Sequence, residues 1–324
     1  MNPLISVIIT TRNEEVNIKS CLDSILSQNY PKDEIEIIVV DNNSSDKTKE
    51  VVEAIKQSTL QLYSPSEIAS HPDESGISQG KLYNFQLLNR GPERSAQRNF
   101  GVEKSSGEYF IYLDADMTLS KNVISDCVNL VEVRPQINAL YVSEIVTGEK
   151  FWSKVRRFER SFYDATVIDC VRFVKKEAFQ KVGGFDENLT GPEDWDFDKK
   201  IRNLGRACPD DCENNLFGAC PDDCGNNLFG VALIKTPIYH NEAEFNLKKY
   251  INKKGYYAQK FDEYIAKWGK NNPDIKKQFG IYYRFFGVFV ENGRWKKMLA
   301  HPILTAGMYG LRLIVGVKFL KRNN

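Results

Sequence analysis

Residues 5–41, ISVIITTRNEEVNIKSCLDSILSQNYPKDEIEIIVVD, determine the fold class. Two short apolar segments, residues 5–9 and 35–40, are rich in the β-branched residues that strands prefer. Between them, apolar residues recur at helical spacing: Ile18, Cys21, Leu22, Ile25 and Leu26. A strand, a helix and a second strand that is apolar throughout predict a parallel sheet covered by helices, with ligands at the carboxyl ends of its strands.

The same alternation continues along the chain. Helices are predicted from about residue 47 to 57 and over residues 93–105. An apolar strand is predicted at residues 109–113, and further strands near 139–145 and 170–174 complete the sheet. The predicted fold class is therefore α/β, with a mixed, mainly parallel sheet covered by helices.

The composition and charge of the chain limit the classes of binding partner that it can be expected to have. Hydrophobic residues make up 42% of the 324 residues and charged residues 27%, which is typical of a globular chain. The net charge is only +1, so no global field favours nucleic acid. Residues 245–324, however, contain 17 Lys and Arg against 4 Asp and Glu, and 16 of the 38 aromatic residues. Basic residues mixed with aromatic ones suit either an anionic membrane surface or nucleic acid, and of the two we predict the membrane surface and no nucleic acid for this C-terminal extension.

Two carboxylates follow the predicted strand at residues 109–113. Asp114 and Asp116 are hard oxygen ligands of the kind that Mg²⁺ or Mn²⁺ prefers, usually with substrate phosphates completing the coordination. Asp41 ends a neighbouring predicted strand, so its side chain is expected at the same edge of the sheet. The alternative for Asp114 and Asp116 is a polar turn that caps the next helix.

Four motifs, in this order, resemble those of family-2 glycosyltransferases, inverting enzymes with the GT-A (Rossmann-like) fold. The resemblance covers roughly residues 4–245. Its motifs are SVIITTRNEE at 6–15, VVDNNSSDKT at 39–48, AQRNFG, SGEY and LDAD within 96–116, and GGFDE and EDWD within 183–196.

The resemblance implies a nucleotide-sugar site and roles for its residues. The residues that would contact the nucleotide sugar are Thr10, Arg12, Glu14, Asp41, Arg98 and Asp114. The Asp41 carboxylate would accept a hydrogen bond from a base N–H, and Asp114 would face the ribose. Asp116 would bind the Mn²⁺ or Mg²⁺ ion that bridges the diphosphate, and UDP is the nucleotide that the family favours.

On the acceptor side, Asp194 is the predicted general base, with Glu193 beside it. The alternative is an acidic pair stabilised at a helix N-terminus by the helix dipole. Trp195 would stack on a sugar or pack in the core. His240 would give a further metal contact, or be a strand-end histidine with a satisfied hydrogen bond.

The seven cysteines fall into two groups. Cys21, Cys127 and Cys170 lie in apolar stretches and are predicted to be small core residues in a reducing, cytosolic setting. The other four lie in a tandem repeat, ACPDDCENNLFG at 207–218 and ACPDDCGNNLFG at 219–230, which we interpret as a duplicated loop insertion. A duplication without function, a labile disulfide and a zinc site all remain open for it.

The predicted domains are a GT-A catalytic domain at 1–243 and a helical, membrane-interacting extension at 244–324. Residues 302–320 form the most apolar long segment, but Arg312 near its middle would cost ~2.5–3.5 kcal/mol within a bilayer. An interfacial or re-entrant helix at the cytoplasmic face of the cell membrane is therefore predicted. The alternative is a helix packed on the catalytic domain.

The function predicted from these features is metal-assisted sugar transfer to a glycan or lipid-linked acceptor, in cell-surface polysaccharide biosynthesis. A nucleotidyltransferase would also place carboxylates beside a nucleotide on an α/β sheet. It would need a Gly-rich phosphate loop after the first strand, and residues 10–15 contain no glycine. A membrane-docked binding module without enzymatic activity is the non-enzymatic alternative.

Overall fold

A computed structural model of the chain describes residues 2–61, 83–204 and 230–320. The cysteine repeat at 207–230 therefore lies outside the described residues, Gly230 apart, and its three interpretations remain open. Cys21, Cys127 and Cys170 are buried thiols, as the sequence predicts for core residues.

The described residues contain eight strands. In chain order they are β1 (Ile5–Thr11), β2 (Ile35–Asp41), β3 (Asn84–Asn89), β4 (Tyr109–Asp114), β5 (Met117–Leu119), β6 (Ala139–Thr147), β7 (Phe173–Lys175) and β8 (Val231–Asn241). Five of the eight begin and end close to the predicted bounds, whereas β3, β5 and β8 had no predicted bounds.

Helices separate most of these strands and form the whole of the C-terminal part. They are α1 (Ile18–Leu26), α2 (Thr48–Gln61), α3 (Arg94–Lys104), α4 (Val123–Val133), α5 (Phe151–Arg160), α6 (Lys176–Val182), α7 (Glu193–Leu204), α8 (Leu247–Ala258), α9 (Phe261–Trp268), α10 (Pro273–Phe279), α11 (Val288–Val290), α12 (Lys296–Ala300) and α13 (Pro302–Leu320). Short 3₁₀ turns at Lys32–Glu34 and Glu291–Gly293 and a π-helical turn at Tyr283–Gly287 complete the set.

The chain divides into two compact units. Unit 1 comprises Met1–Gln136 with Arg172–Gly183, and unit 2 comprises Ile137–Val171 with Gly184–Asn324. The predicted boundary between catalytic domain and extension at residue 243 stays a prediction.

Unit 1 is built on a parallel sheet. Its strands lie in the order β3-β2-β1-β4-β7, with the first four parallel and β7 antiparallel to β4. Every residue of β1 and β2 is buried, as expected for parallel strands covered on both faces. Helix α3 packs on β1 and β2, and α1 packs on β5. The mainly parallel sheet predicted from residues 5–41 is confirmed.

Unit 2 contains the parallel pair β6 and β8 and all helices from α7 onward. Ion pairs fix α7 against α10. Arg202 lies 2.7 Å from Asp198 on its own helix and 3.0 Å from Asp274 on α10, and Lys199 lies 2.8 Å from Asp274. Because Asp198 is fully buried, these contacts leave α7 little freedom to shift.

Helix α13 packs against α5 and α8. Arg312, at the middle of α13, donates from Nε to Glu159 at 3.0 Å, and Arg156 lies 2.7 Å from the same carboxylate. Burial alone would raise the pKa of Glu159, but Arg312 and Arg156 outweigh it and lower that pKa to about 2. The interior of unit 2 thus neutralises the charge that would have been costly for this segment in lipid.

Helix α13 is thus packed on other helices of unit 2, as in the alternative that the sequence left open, while its contact with a membrane surface stays a prediction. Among the residues that the structure describes, no helix is long and apolar enough to cross a bilayer.

The substitution Glu159→Gln should lower the free energy of unfolding by about 3 kcal/mol or more, because it leaves the buried Arg312 without its carboxylate and Arg156 with only Glu242. Chemical denaturation at pH 7 measures this. The matched control is Glu149→Gln, since Glu149 pairs with Lys154 at 3.2 Å but is 82% exposed, and its loss should leave the midpoint nearly unchanged.

The difference in unfolding free energy between wild type and Glu159→Gln should depend on pH. The folded-state pKa of Glu159 lies below its ordinary value of 4.5, so the stabilisation is complete above that pH and is lost as the pH falls towards 2. The gap between wild type and Glu159→Gln should shrink over that range. Equal midpoints at pH 7 would contradict the assignment.

Candidate functional site

Polar side chains lie at the carboxyl ends of neighbouring strands in unit 1. In the parallel register, Thr10 lies opposite Asp114, Thr11 opposite Asp41, and Asp41 opposite Asn89. Since β1 alone separates Asp41 from Asp114, these residues are two strand spacings apart, about 10 Å. The expectation that Asp41 and Asp114 share one edge of the sheet is confirmed.

Asp114 is held by two arginines and a hydroxyl. Its Oδ1 accepts from Arg98 at 3.0 Å and from the Thr10 hydroxyl at 3.2 Å, and its Oδ2 accepts from Arg94 at 3.3 Å. Arg98 has no exposed surface, and its guanidinium lies 4.7 Å from the centre of the Tyr112 ring. Arg98 thus contacts Asp114, and its predicted contact with the nucleotide stays a prediction. Arg94 lies just before the AQRNFG motif, and sequence reasoning missed it.

Gln97 fixes the ends of two strands to each other. Its side-chain amide donates to the carbonyl of Thr11 on β1 at 3.1 Å and to that of Val40 on β2 at 2.6 Å. One α3 side chain thus locks the spacing between the strand ends that carry Thr10 and Asp41. The residue lies inside a motif that sequence analysis recognised, but only the neighbouring Arg98 was selected from it.

Asp41 is 1% exposed and is oriented by the turn that follows it. Its Oδ2 accepts from the backbone N–H of Ser44 at 2.8 Å, and its Oδ1 accepts from the Ser44 hydroxyl. Asn43 adopts a left-handed conformation with φ of 50°, which brings Ser44 back towards the carboxylate. An ionised carboxylate has about four acceptor positions, so Asp41 keeps capacity for a further donor.

Hydrogen bonds join the loop after β1 to the loop after β2. The backbone N–H of Asn13 donates to Ser44 at 2.8 Å, and the Asn13 side chain accepts from the N–H of Ser45 at 2.8 Å. Glu14 donates from its N–H to the Thr48 hydroxyl at 2.8 Å. Asn13 has a φ of 55°, a conformation that Asn tolerates better than most residues. The two loops therefore form one rim.

The remaining predicted nucleoside contacts also lie on this rim. Glu14 is partly buried and accepts from the Asn17 side chain at 2.7 Å, whereas Arg12 is exposed. Their contact with a nucleotide stays a prediction.

Asp116 lies in the two-residue turn between β4 and β5 and is partly buried. Burial raises the pKa of the Cys21 thiol on α1, and the carboxylates of Asp116 and Asp114 raise it further. Cys21 is thus a neutral thiol beside a negative turn. Within residues 2–61, 83–204 and 230–320, no group of three or more His, Cys, Asp or Glu residues is arranged to hold a metal ion.

In unit 2 the neighbouring acidic residues at the start of α7 differ in environment. Glu193 is 1% exposed and accepts a hydrogen bond from the N–H of Gly191, so it stabilises the turn that leads into the helix. Asp194 is only partly buried. Of the two, Asp194 is the carboxylate with the greater access to solvent.

His240, near the end of β8, lies with Nδ1 3.0 Å from Glu144 on β6. Arg160 lies 3.6 Å from the same carboxylate. This is the satisfied strand-end histidine of the alternative interpretation. It is also the arrangement in which a carboxylate orients a metal-binding histidine. The metal role of His240 stays a prediction, and sequence reasoning missed Glu144.

Trp195 packs among aromatic side chains of unit 2. Its ring stacks on Phe261 at 6.0 Å and meets the edge of Phe279 at 5.9 Å, while its indole N–H donates to the carbonyl of Ile168 at 3.2 Å. Trp195 is thus partly buried and packed against two apolar clusters, and a role for it beside a sugar stays a prediction.

Comparison with known proteins identifies a family. The family model described as Glycosyl transferase family 2 matches residues 6–183. Glycosyltransferase AglE of Haloferax volcanii is 28% identical over 211 residues, which are 63% of this chain and 62% of that protein. The chain thus covers less than two thirds of this relative.

Solved structures show the same fold at low sequence identity. Mannosyltransferase PcManGT of Pyrobaculum calidifontis, in complex with GDP-Man and Mn²⁺, has a TM-score of 0.60 and 20% identity, covering 100% of this chain and 89% of that one. S. aureus TarS 1–349, in complex with UDP-GlcNAc, has a TM-score of 0.50 and 15% identity, covering 91% and 74%.

Proposed function

The chain belongs to glycosyl transferase family 2, and from this premise we propose that it transfers a sugar, with inversion, from a nucleotide-diphosphate sugar to a hydroxyl group. It is a glycosyltransferase, and the predicted GT-A fold is confirmed by its structural neighbours. The donor, the acceptor and the chemical roles of individual residues belong to the proposal.

One observation carries the donor assignment: Asp41 and Asp114 end the two strands that flank β1, where Asp41 pairs with Thr11 and Asp114 with Thr10. Ligands of α/β sheets bind at this edge. Asp41, oriented by Ser44, would accept from a base N–H, and Asp114, held by Arg98 and Thr10, would face the ribose. The nucleotides in complex with PcManGT and TarS support a nucleotide-sugar donor, with UDP favoured by family resemblance.

For the chemical step, Asp194 would take the proton from the acceptor hydroxyl. The acceptor oxygen then attacks the anomeric carbon, the bond from that carbon to the diphosphate oxygen breaks, and the nucleoside diphosphate leaves with the electron pair. The partial exposure of Asp194 supports this assignment over Glu193, which is 1% exposed and holds the N–H of Gly191.

A divalent ion is part of the proposal. When bound, Mn²⁺ or Mg²⁺ would neutralise charge on the departing diphosphate. Such ions are usually held by one or two carboxylates together with substrate phosphates, so Asp116 fits this role without a cage made only of protein ligands. A metal contact by His240, which belongs to unit 2, stays a prediction from the family resemblance. The Mn²⁺ in the PcManGT complex supports the same ion class.

We place the acceptor at a membrane surface. The segment around α12 and α13 exposes large apolar side chains next to basic ones. The apolar ones are Trp295, Leu299, Ile303, Leu313 and Val317, and the basic ones are Arg294, Lys296 and Lys297. Apolar and aromatic residues flanked by cations suit the interface of an anionic membrane. A glycan or lipid-linked acceptor at the cytoplasmic face of the membrane would then reach the enzyme.

Substitutions of the adjacent residues Ser44 and Ser45 should affect nucleotide affinity differently. Ser44→Ala removes the hydroxyl that orients Asp41 and Asn13, so it should weaken nucleotide binding about three- to tenfold. Calorimetric titration with UDP and GDP in the presence of Mn²⁺ measures the affinity. The control Ser45→Ala removes an exposed hydroxyl 3.3 Å from Asn13 and should change it less than twofold. Equal losses in both variants would count against the assignment of Asp41.

Two carboxylate variants separate binding from chemistry. Asp194→Asn should reduce sugar transfer by a factor of about 10² or more while keeping nucleotide affinity, because it removes only the base. Asp116→Asn should instead abolish the effect of Mn²⁺ on nucleotide affinity, measured by calorimetry with and without a chelator. Asp262→Asn, an exposed carboxylate of unit 2, serves as the control. Full transfer activity in Asp194→Asn would refute the mechanism.

The membrane assignment is tested by matched surface substitutions. Leu299 and Ile303 are 74% and 73% exposed, and Val16 and Val133 of unit 1 are 83% and 79% exposed. Replacing Leu299 and Ile303 by Ser should reduce binding to phosphatidylglycerol vesicles about tenfold or more, since apolar burial in the interface is lost. Replacing Val16 and Val133 by Ser should leave vesicle co-sedimentation unchanged. Equal binding by both double variants would exclude this surface.

A further inference from the structure

One face of helix α8 in unit 2, together with its N-cap residue, borders a shallow depression of about 590 Å³ that is open to solvent and that none of the assigned roles uses. We call it the α8 cavity, and its lining residues are Asn246, Lys248, Lys249, Asn252, Lys253 and Tyr256. None of them is acidic, and all of them are exposed.

The charge of the α8 cavity is uncompensated within the described part of the chain. Lys248, Lys249 and Lys253 form no ion pair there, whereas Lys150 and Lys260 of the same unit each lie within 2.7 Å of a glutamate. The ammonium group of Lys253 lies instead 5.8 Å from the centre of the Tyr257 ring. Three cations within six residues thus face the cavity without a carboxylate.

The three lysines destabilise helix α8, on which they lie. Lys248 and Lys249 stand in the first turn, where the helix dipole disfavours cations, and the first turn has no acidic residue. Lys249 and Lys253 are like charges at i and i+4, which also destabilises a helix. A bound anion would offset both costs.

The neutral side chains of the cavity suit an anion with several oxygen atoms. Asn246 uses its side-chain oxygen to accept from the N–H of Lys249 at 2.9 Å, which leaves its amide N–H groups as donors. Asn252 adds a second amide. Ammonium and amide donors without acidic neighbours match the oxygens of a phosphate or diphosphate group.

The position of α8 connects the cavity to the acceptor side of the enzyme. At Gly191, in the loop before α7, a Cβ atom would approach the Cβ of Tyr257 to 2.5 Å, so this loop lies directly on α8. Lys253 precedes Tyr257 by four residues, about 6 Å along the helix axis. Helix α8 also packs against α13. It therefore lies between the loop that leads to Asp194 and the helix that exposes Ile303.

We propose that the α8 cavity binds the phosphate or diphosphate ester of a lipid-linked acceptor. The inference rests on the proposed function, because it assigns the anionic part of the acceptor to Lys248, Lys249 and Lys253. The phosphate would be held beside the membrane-facing helix while the sugar hydroxyl extends towards Asp194.

The test compares two triple variants of the full-length protein with the same change in net charge. Lys248, Lys249 and Lys253 are replaced by Gln in one, and the exposed lysines Lys49, Lys121 and Lys270 in the control. Binding is measured by co-sedimentation with phosphatidylcholine vesicles containing a polyprenyl phosphate, and with vesicles carrying phosphatidylglycerol at the same charge density. Inorganic pyrophosphate is the soluble competitor.

The cavity variant should bind the polyprenyl phosphate vesicles about a hundredfold more weakly than wild type, with the control unchanged and phosphatidylglycerol binding less affected. Pyrophosphate should compete in wild type. Unchanged binding in the cavity variant would overturn the proposal. An equal loss for both vesicle types would also overturn it, since the lysines would then be a general membrane contact.

Calorimetric titration with UDP and GDP keeps this test separate from the proposed function. Nucleotide affinity with Mn²⁺ should be the same in wild type and in both triple variants, because the α8 cavity is part of unit 2 and the nucleotide rim is part of unit 1. Absence of nucleotide binding in wild type would count against the proposed function itself, while the vesicle result would still decide whether the cavity binds lipid phosphate.

Discussion

The parallel pairing of β1 with β2 and β4 is the constraint on which the donor site depends. It pairs Thr10 with Asp114 and Thr11 with Asp41, so three strands separated along the chain present polar groups at the same edge of the sheet. The pairing is stable because the strands are apolar and covered on both faces. A shift of one residue would turn each side chain to the opposite face and dismantle the site.

The side chains around that edge are held before any ligand arrives. Arg98 is fully buried yet bonds to Asp114, and Gln97 joins the carbonyls of β1 and β2. A buried guanidinium would be costly without an anionic partner, so Arg98 and Asp114 need each other. Preorganised groups of this kind lose little freedom when a substrate binds, which is how a rigid rim contributes to affinity.

Unit 2 differs from unit 1 because it buries many charged side chains and pairs them with one another. Glu159 neutralises Arg312, and Asp274 contacts Arg202 and Lys199 of α7. The basic C-terminal extension is therefore partly structural: its helices anchor α7, whose first turn carries Asp194. The exposed apolar side chains and the lysines of the α8 cavity are not used in packing. We assign the apolar side chains to the membrane surface and the lysines to the acceptor.

The sequence by itself determined the α/β class, five of the strands and the position of Asp41 and Asp114 at strand ends, because apolar runs and their polar ends are local patterns. Only tertiary structure decided what the charged residues do. Arg98, Arg312 and Glu193 look like surface or site residues in a sequence, but each is buried against a partner. Whether a charge faces water, a ligand or another charge depends on contacts between distant segments, which spacing along the chain does not encode.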